Sequence, residues 1–447
     1  MKELLDKLLK YSSVIEKAER YLWKNAEVGY KEIKSNDFMK KEFISLGYTL
    51  RENQDITGFS AELDTGKEGP TLALLAELDA LYCDSHPETN KETGAVHACG
   101  HNIQCASLLS VACVLSEKDA LDKLSGKIRF IVVPAEEGVE ISFRNELIKK
   151  GVISFTSGKP EMIKRGFFDG VDIAVMMHLM NLGEDVRFYI DGGSNGNIRK
   201  KIVITGKASH AGEAPQDGVN ALNAASLAIS ATNYLRETFR ENDVVRFHSI
   251  ITSGGSSVNV VPDKIVIESY VRAENSKALL EANERINRAI ICAVASLGAT
   301  VEITDLPGSE PLHNDKNLVD ALEDAFKVVA GEKGYRRDNV WKGSCTDMGD
   351  VSTIIPSVHG YVGGLKGKLH GKDYVVEKPL NSCLDSALCQ LVLTFDLLGN
   401  GAERARKIIK EFKPVYPTIK EYIQTKESVN RVIDAVKIID NGVEIKY

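Results

Sequence analysis

The chain has 447 residues, of which 43% are hydrophobic and 27% charged, and its formal net charge is −7 at pH 7. This composition is typical of a soluble globular protein, and the length predicts two or three domains. The negative charge argues against nucleic acid as a partner, and no apolar stretch is long enough to span a membrane. Eight cysteines are scattered, with Cys113, Cys292 and Cys389 inside apolar runs, which favours buried, reduced thiols and a cytoplasmic location.

Helical and strand-like patterns alternate through the first half of the chain. Apolar residues recur at helical spacing in residues 1–48, whereas continuous apolar runs at 71–76, 127–133 and 173–177 predict buried strands. Buried strands separated by helical patterns indicate an α/β fold with a mostly parallel sheet covered on both faces. Residues 401–447 predict two charged helical segments and a short strand-like end.

The pattern changes near residue 195, where a half-exposed strand follows the apolar ones. The elements from there to residue 304 occur in the order β-α-β-β-α-β, which is the ferredoxin-like arrangement. We predict them at 196–206, 218–238, 244–252, 264–272, 276–296 and 299–304. The sequence therefore predicts one larger α/β domain, formed by residues 1–194 and 307–447, interrupted by an inserted α+β domain at 195–306.

The densest group of potential metal ligands is His97-Ala98-Cys99-Gly100-His101. It follows the apolar strand at 71–76 and precedes an apolar helix at 106–115, a position where α/β enzymes often place their chemistry. Imidazole and thiolate ligands suit zinc and tolerate manganese, cobalt or iron. For an isolated cluster, a buried turn with a satisfied histidine and an inert cysteine stays an alternative.

Two further strand ends carry ligand-type side chains. Glu136 and Glu137 directly follow the strand at 127–133, and His178 follows the strand at 173–177. Of two adjacent carboxylates, one can bind a metal while its neighbour takes a proton from metal-bound water. Ligand-type residues at three successive strand ends favour a shared metal site over a solvated loop and a core histidine.

His370, far downstream, is a further candidate ligand that is weak evidence by itself, and His359 competes with it. His370 lies in a polar stretch, whereas His359 lies in an apolar run and fits a strand better.

The sequence lacks the motifs of phosphate binding and of catalysis by a serine nucleophile. Ser253-Gly254-Gly255 has no adjacent lysine for a phosphate cradle, and no serine nucleophile elbow is present.

Seven blocks, in order, resemble the di-metal aminoacylase and carboxypeptidase family, in the branch of bacterial amidohydrolases and auxin-conjugate hydrolases. They are LLAELDAL (74–81), HACGHN (97–102), PAEEG (134–138), MMHL (176–179), ASHAGEAPQDGVNAL (208–222), GGSSVNVVPD with YVRA (254–263 and 270–273) and LHGKDY (369–374). The resemblance implies a di-metal catalytic domain with an inserted ferredoxin-like domain that serves as lid and dimerisation domain.

The resemblance also implies a ligand set for two divalent metal ions, zinc or manganese, with cobalt or iron accommodated. Cys99 would be a thiolate that bridges the two ions. Four other residues would bind one ion or the other: His101, Glu137, His178 and His370.

The remaining roles implied by the resemblance concern the reaction itself. Glu136 would be the general base, and Asp79 would orient a metal ligand from behind the site. His210 would reach across a dimer interface to polarise the scissile carbonyl or stabilise the oxyanion. Asn259 and Arg272 would hold the amide or carboxylate of the substrate.

Three features depart from the commonest pattern and bear on the substrate. Glu77 and Asn102 stand where many relatives have aspartate, and residues 343–352 resemble aminobenzoyl-glutamate hydrolases and related dipeptidases. We expect a metal-dependent amidohydrolase that cleaves a small N-acyl amino acid, an aminobenzoyl-glutamate-like amide or a dipeptide, as a homodimer or higher homo-oligomer. A non-catalytic metal-binding or regulatory protein that retains the fold, and a structural single-zinc protein, stay open as alternatives.

Overall fold

The computed structural model describes residues 2–440 and 442–447. Its helices are Lys2–Lys10, Ser12–Lys24, Ile33–Ser45, His101–Leu115, Ile141–Lys149, Gly158–Lys164, Ala221–Tyr234, Ser276–Ser296, Lys316–Ala330, Met348–Ser352, Pro379–Leu398, Glu403–Glu411 and Ile419–Val429. Its strands are Leu50–Glu52, Phe59–Asp64, Thr71–Glu77, Leu81–Tyr82, Ala95–Val96, Lys127–Val133, Ile173–Leu179, Phe188–Ile190, Gly193–Ser194, Gly196–Thr205, Arg246–Ser253, Lys264–Ala273, Thr300–Pro307, Leu312–His313, Tyr335–Arg337, Trp341–Lys342, Ser357–Val362, Leu365–Lys366, Val375–Val376, Arg431–Asp434, Val436–Ile439 and Gly442–Ile445.

The chain divides into two compact units, each made of three segments. The first unit holds Met1–Gly193, Leu312–Trp341 and Asp350–Ile419, and the second holds Ser194–Pro311, Lys342–Gly349 and Lys420–Tyr447. The second unit includes the segment expected as an inserted domain, but it also takes the last 28 residues, Lys420–Tyr447, which we had assigned to the larger domain.

The first unit is built on an eight-stranded sheet in which the central strands are parallel, as predicted. Lys127–Val133 pairs with Thr71–Glu77, which pairs with Ile173–Leu179, which pairs with Ser357–Val362, all in parallel. Thr71–Glu77 and Ile173–Leu179 are buried along their whole length, which explains why they are continuously apolar in sequence. Parallel pairing brings the carboxyl ends of these strands to one edge of the sheet.

The helix His101–Leu115 fixes one motif at that edge. All fifteen of its residues are buried, and it packs against the strand Thr71–Glu77 and the helices Ser12–Lys24 and Pro379–Leu398. A helix that is apolar on every side is stable only in such an interior position. The helix begins at His101, the second histidine of the motif, so the packing of the helix determines where the His101 imidazole lies.

The second unit contains the predicted β-α-β-β-α-β order, with one additional strand. Its antiparallel sheet runs Arg246–Ser253, Lys264–Ala273, Gly196–Thr205, Thr300–Pro307 and Arg431–Asp434. The added strand comes from the C-terminal segment, whose Ala435 and Val436 are buried in this unit's core. This pairing and burial are the physical reason that the C-terminal residues belong here.

Two sequence expectations need correction in detail. The first helix of the second unit spans Ala221–Tyr234 rather than 218–238, because the Asn220 side chain accepts a hydrogen bond from Asn223 N and caps the helix there. The eight cysteines are free thiols and six are buried, but Cys292 is exposed on the helix Ser276–Ser296.

Within residues 2–440 and 442–447, no helix has the length and apolar character needed to cross a bilayer.

Candidate metal centre

The turn between Cys99 and His101 depends on the glycine between them. Gly100 has φ +93°, a left-handed conformation that side chains other than glycine rarely adopt. A Cβ at this position would also lie 2.8 Å from Leu179 Cβ, which is closer than real carbon contacts allow. Glycine therefore lets the thiol-bearing turn approach the end of the strand Ile173–Leu179, where His178 lies.

Cys99 is shared by two groups of potential ligands. It forms one group with His101 and His178 and a second with Glu137 and His370, and the ligand atoms of each group lie within 4.8 Å of one another. Cys99 Sγ is 3.4 Å from His178 Nε2 and 3.4 Å from His370 Nε2, and His370 Nε2 is 3.1 Å from Glu137 Oε1. Two ligands at ordinary zinc bond lengths and tetrahedral angles lie about 3.5 Å apart, so these separations fit shared cations.

Hydrogen bonds to backbone carbonyls fix which imidazole nitrogen is left to bind a cation. His101 Nδ1 is 2.7 Å from Asp79 O, and His178 Nδ1 is 2.7 Å from Leu179 O. A carbonyl only accepts, so each Nδ1 donates and each Nε2 keeps its lone pair in the neutral ring. This is the arrangement by which neighbouring groups prepare histidine ligands for a metal.

Asp79 contacts two of the candidate ligands. Its Oδ1 lies 3.3 Å from His101 Nδ1, and its Oδ2 accepts a hydrogen bond from Glu137 N at 2.8 Å. Asp79 is fully buried, so both contacts are held in a low-dielectric environment. It therefore holds one imidazole and one carboxylate of the two ligand groups in place.

Several buried polar atoms in this cluster are left for a further partner. His101 Nε2 and Glu137 Oε1 make no hydrogen bond of acceptable geometry within the described residues, although each has an oppositely charged neighbour at 3.1 Å. Leaving such atoms unsatisfied is costly, and a divalent cation at each of the two ligand groups would satisfy them. The nitrogen, sulfur and oxygen donors present here are those that zinc and similar ions accept.

A buried ion pair that the sequence did not reveal lies beside His101. Lys159 pairs with Glu77 Oε1, while Gln104 Nε2 donates to Glu77 Oε2 at 2.9 Å and His101 Nε2 lies 3.1 Å from the same oxygen. Burial alone would raise the pKa of Glu77, but Lys159 and then His101 hold it well below its usual range. Glu77, His101 and Glu136 form a third group of potential ligands.

The histidines respond differently to this environment. Burial, and then the positive charge of His101, lower the pKa of His178 to about 4, which keeps it in the neutral form that binds metals. Burial alone would lower the pKa of His101, but Glu77 and Cys99 outweigh it and raise the pKa well above its usual value. The site thus favours a positive charge, a proton or a metal ion, at His101 Nε2.

Two other histidines lie nearby. Burial and then His101 lower the pKa of His97 to about 3, and His359 lies on the strand Ser357–Val362 with its ring centroid 5.7 Å from that of His178. Neither His97 nor His359 joins a ligand group among the described residues. The choice of His370 over His359 as a ligand stays a prediction.

The second unit brings two of its three candidate residues together. His210 pairs with Val260 in a β-bridge, and Ala211 N donates to Asn259 O at 2.9 Å. His210 Nδ1 accepts hydrogen bonds from Gly212 N at 3.2 Å and Glu213 N at 3.0 Å, so in the neutral ring Nε2 carries the proton and is a donor.

Arg272 lies on the strand Lys264–Ala273 and contacts the loop at 342–349. Its Nη1 donates to Gly343 O at 3.1 Å and to Cys345 Sγ at 2.9 Å. The loop therefore positions the guanidinium through a carbonyl and a thiol rather than a carboxylate. A guanidinium held in this way keeps its capacity to bind an anion.

Comparison with known proteins gives a consistent result. The model of a family described as peptidase family M20/M25/M40 matches residues 73–387. N-acetyl-L-cysteine deacetylase of Bacillus subtilis (strain 168) is 31% identical over 321 residues, covering 68% of this chain and 70% of its own. An IAA-amino acid hydrolase of Arabidopsis thaliana, ILR1-like 4, is 28% identical over 361 residues, covering 77% and 76%. The solved structure of a dinuclear metal-binding peptidase of the M20 family from Bacillus subtilis shares the fold, with a TM-score of 0.67, 21% identity, and coverage of 87% of this chain and 99% of that one.

Proposed function

This chain belongs to peptidase family M20/M25/M40 and is an amidohydrolase, and we propose that it uses two divalent cations to cleave small N-acyl amino acids, aminobenzoyl-glutamate-like amides or dipeptides. The observation that carries the proposal is that Cys99 belongs to two ligand groups at once. A thiolate shared in this way supports a pair of ions rather than one. The named activities of the relatives, on acetylated cysteine and on IAA-amino acids, support an N-acyl amino acid as substrate.

Two sets of residues would hold the ions. His101 and His178 would bind one, Glu137 and His370 the other, and Cys99 both. Bound ions of this kind supply Lewis acidity, which lowers the pKa of coordinated water and polarises an amide carbonyl. Zinc or manganese suits the donor set, with cobalt or iron also accommodated.

In this proposal Glu136 acts as the general base. It is half-buried and directly precedes the buried ligand Glu137, so the two carboxylates take different positions along the same turn. Glu136 removes a proton from the attacking water and later delivers it to the nitrogen of the leaving amine. Asp79 supports this step by fixing the Glu137 amide and the His101 ring.

Three residues of the second unit would act on the substrate. His210, with its proton on Nε2, would donate a hydrogen bond to the oxygen that becomes negatively charged during attack. Arg272 and Asn259 would hold the amide or carboxylate of the substrate, with the arginine suited to a carboxylate by its two parallel N–H groups.

We propose further that a second copy of the chain completes the active site with its own His210. The strand Arg246–Ser253 forms one edge of the second unit's sheet, and Ile250 on it and Tyr234 on the neighbouring helix are 65% and 76% exposed. Apolar side chains beside an open strand edge favour pairing between chains. Size-exclusion chromatography with light scattering should give a dimer or a larger even assembly, and a monomer would contradict this part of the proposal.

The first experiment is Glu136→Gln, assayed with N-acetyl amino acids, indole-3-acetyl amino acids, aminobenzoyl-glutamate and dipeptides, with added zinc or manganese. Loss of the base should lower kcat by about 10²–10⁴-fold while the metal content stays near two ions per chain. Glu140→Gln removes a carboxylate from the same loop, where Glu140 pairs only with Lys31 among the ion pairs of the described residues, and should keep full activity.

Two results would decide against the proposal. Unchanged turnover in Glu136→Gln would remove the assigned role of this carboxylate. One tightly held ion, with unfolding on chelation, would favour the structural single-zinc alternative.

The free thiols of the chain support a reducing, cytoplasmic location for the enzyme.

A further inference from the structure

Ala135, the residue before the proposed base Glu136, has an uncommon backbone conformation. Its φ is +53°, in the left-handed region. This conformation is strained for a residue with a Cβ, because the Cβ approaches the following carbonyl oxygen. Strain of this kind persists only where surrounding contacts impose it, and it is concentrated at functional sites.

Buried side chains contact both ends of the Ala135 residue. Glu32 Oε1 accepts a hydrogen bond from Ala135 N at 2.8 Å. Ala135 O accepts from Gly158 N at 3.1 Å and, at the longer distance of 3.5 Å, from Arg144 Nη1, which also donates to Thr156 O at 2.6 Å. Glu32 and Arg144 are both fully buried, so each contact acts in a low-dielectric interior where hydrogen bonds to charged groups are strongest.

The segment that supplies Glu32 is packed directly on Ala135. A Cβ on Gly29 would lie 2.7 Å from Ala135 Cα and 2.4 Å from Arg144 Nη2, so only glycine fits there. The second oxygen of Glu32 accepts from Thr57 Oγ1 at 2.6 Å, which fixes the carboxylate from its other side. Gly29, Glu32 and Thr57 lie before residue 73, where the family match begins.

We infer that Glu32 and Arg144 are positioning residues that hold Ala135 in its left-handed conformation and thereby aim the Glu136 carboxylate. On the other side of Glu136, Asp79 Oδ2 holds the Glu137 amide at 2.8 Å. The amides before and after the catalytic position are thus each fixed by a buried carboxylate. Fixing both reduces the motion of the base between them, and displacement of such a group by about 1 Å can lower the rate about 10²-fold. The inference rests on the proposed function, because it takes Glu136 as the base.

The test compares Glu32→Met with Glu27→Met. Glu27 is a buried carboxylate of the same segment, but its partners are two amides in the first turn of the helix Ile33–Ser45, Lys34 N at 3.1 Å and Ser35 N at 3.0 Å. Both variants lose a buried acceptor and should lower Tm. Only Glu32→Met, and likewise Arg144→Met, should lower kcat, by about 10–100-fold, with KM and metal content little changed.

Two further variants separate positioning from general structural damage. Glu32→Gln retains an oxygen that can accept from Ala135 N and should keep most of the activity. Ala135→Gly removes the penalty for positive φ, so it should restore a large part of the kcat that Glu32→Met loses. Equal loss of kcat in Glu27→Met, or no restoration by Ala135→Gly, would overturn the inference.

Amide hydrogen exchange provides a readout that does not depend on catalysis. In the metal-loaded protein, exchange in the peptide covering residues 130–140 should rise in Glu32→Met and Arg144→Met and stay unchanged in Glu27→Met. Unchanged exchange in Glu32→Met would overturn the inference even in an active enzyme. Failure of the wild-type chain to cleave any amide would instead count against the proposed function.

Discussion

The candidate residues of the two units differ in how far the fold alone assembles them. In the first unit, Cys99 Sγ lies 3.4 Å from a nitrogen of His178 and 3.4 Å from one of His370, and that His370 nitrogen lies 3.1 Å from Glu137. In the second unit, His210 is exposed and bonds to its own loop. A buried charge needs a partner in the folded protein, so a metal site is organised by the fold itself. An exposed hydrogen-bond donor such as His210 is hydrated, so it needs no protein partner until a substrate or another chain provides one.

The largest effect on metal content and activity should come from substituting Cys99, the residue common to both ligand groups. Cys99→Ala removes one ligand from each group, so we expect both ions to be lost on dialysis and hydrolysis to fall by at least about 10³-fold. Metal content measured by atomic emission, together with the hydrolysis assay, checks this. Cys389→Ala, which removes another fully buried free thiol, is the matched control and should keep both ions. Retention of a full pair of ions without Cys99 would contradict its shared role.

A smaller effect should come from the second unit, and it should be purely kinetic. His210→Ala removes the proposed oxyanion donor, which should lower kcat by about 10²–10³-fold. Because His210 is exposed, Tm and metal content should stay at the wild-type values. Arg288→Ala, which removes an exposed side chain from the helix Ser276–Ser296 of the same unit, is the control and should keep its activity. A fall in metal content in His210→Ala would mean that this residue supports the ligand cluster instead of the reaction.

Local sequence patterns were sufficient for the parts of the site that lie at strand ends. The runs at 71–76, 127–133 and 173–177 are apolar because those strands are buried on both faces, and polar residues just beyond such runs are confined to one edge of the sheet. That relation predicted a metal site from a single sequence. The resemblance, rather than any local pattern, supplied His210 and the roles of Asp79.

Contacts between distant residues could not be predicted in this way. Lys159 reaches Glu77 across 82 positions, and Glu32 reaches Ala135 across 103. A buried lysine in a short helix and a glutamate before another helix look like ordinary surface residues in sequence. The sequence likewise assigns the strand Arg431–Asp434 to the larger domain, because its partner Thr300–Pro307 is far away along the chain. Such pairings are set by tertiary packing, which periodicity does not encode.

The smallest expected effect is on the pH dependence of the free energy of unfolding. It tests whether the carboxyl group of Glu32, which contacts Ala135 N, is as buried as its contacts indicate. Burial, and then the charge of Asp79, raise the pKa of Glu32 from an ordinary value of 4.5 to about 7. Between these pH values the folded protein binds a proton at Glu32 that the unfolded chain has released. This contribution to stability is therefore complete below about pH 4.5 and is lost as pH rises through 7, by up to ~3 kcal/mol.

Glu32→Gln cannot ionise, so its free energy of unfolding should fall less steeply than that of the wild type between pH 5 and 8. Urea denaturation at several pH values in this range measures the difference. Parallel slopes for the two proteins would mean that Glu32 is charged throughout, and that its contacts with Ala135 and Thr57 favour the carboxylate enough to offset its burial.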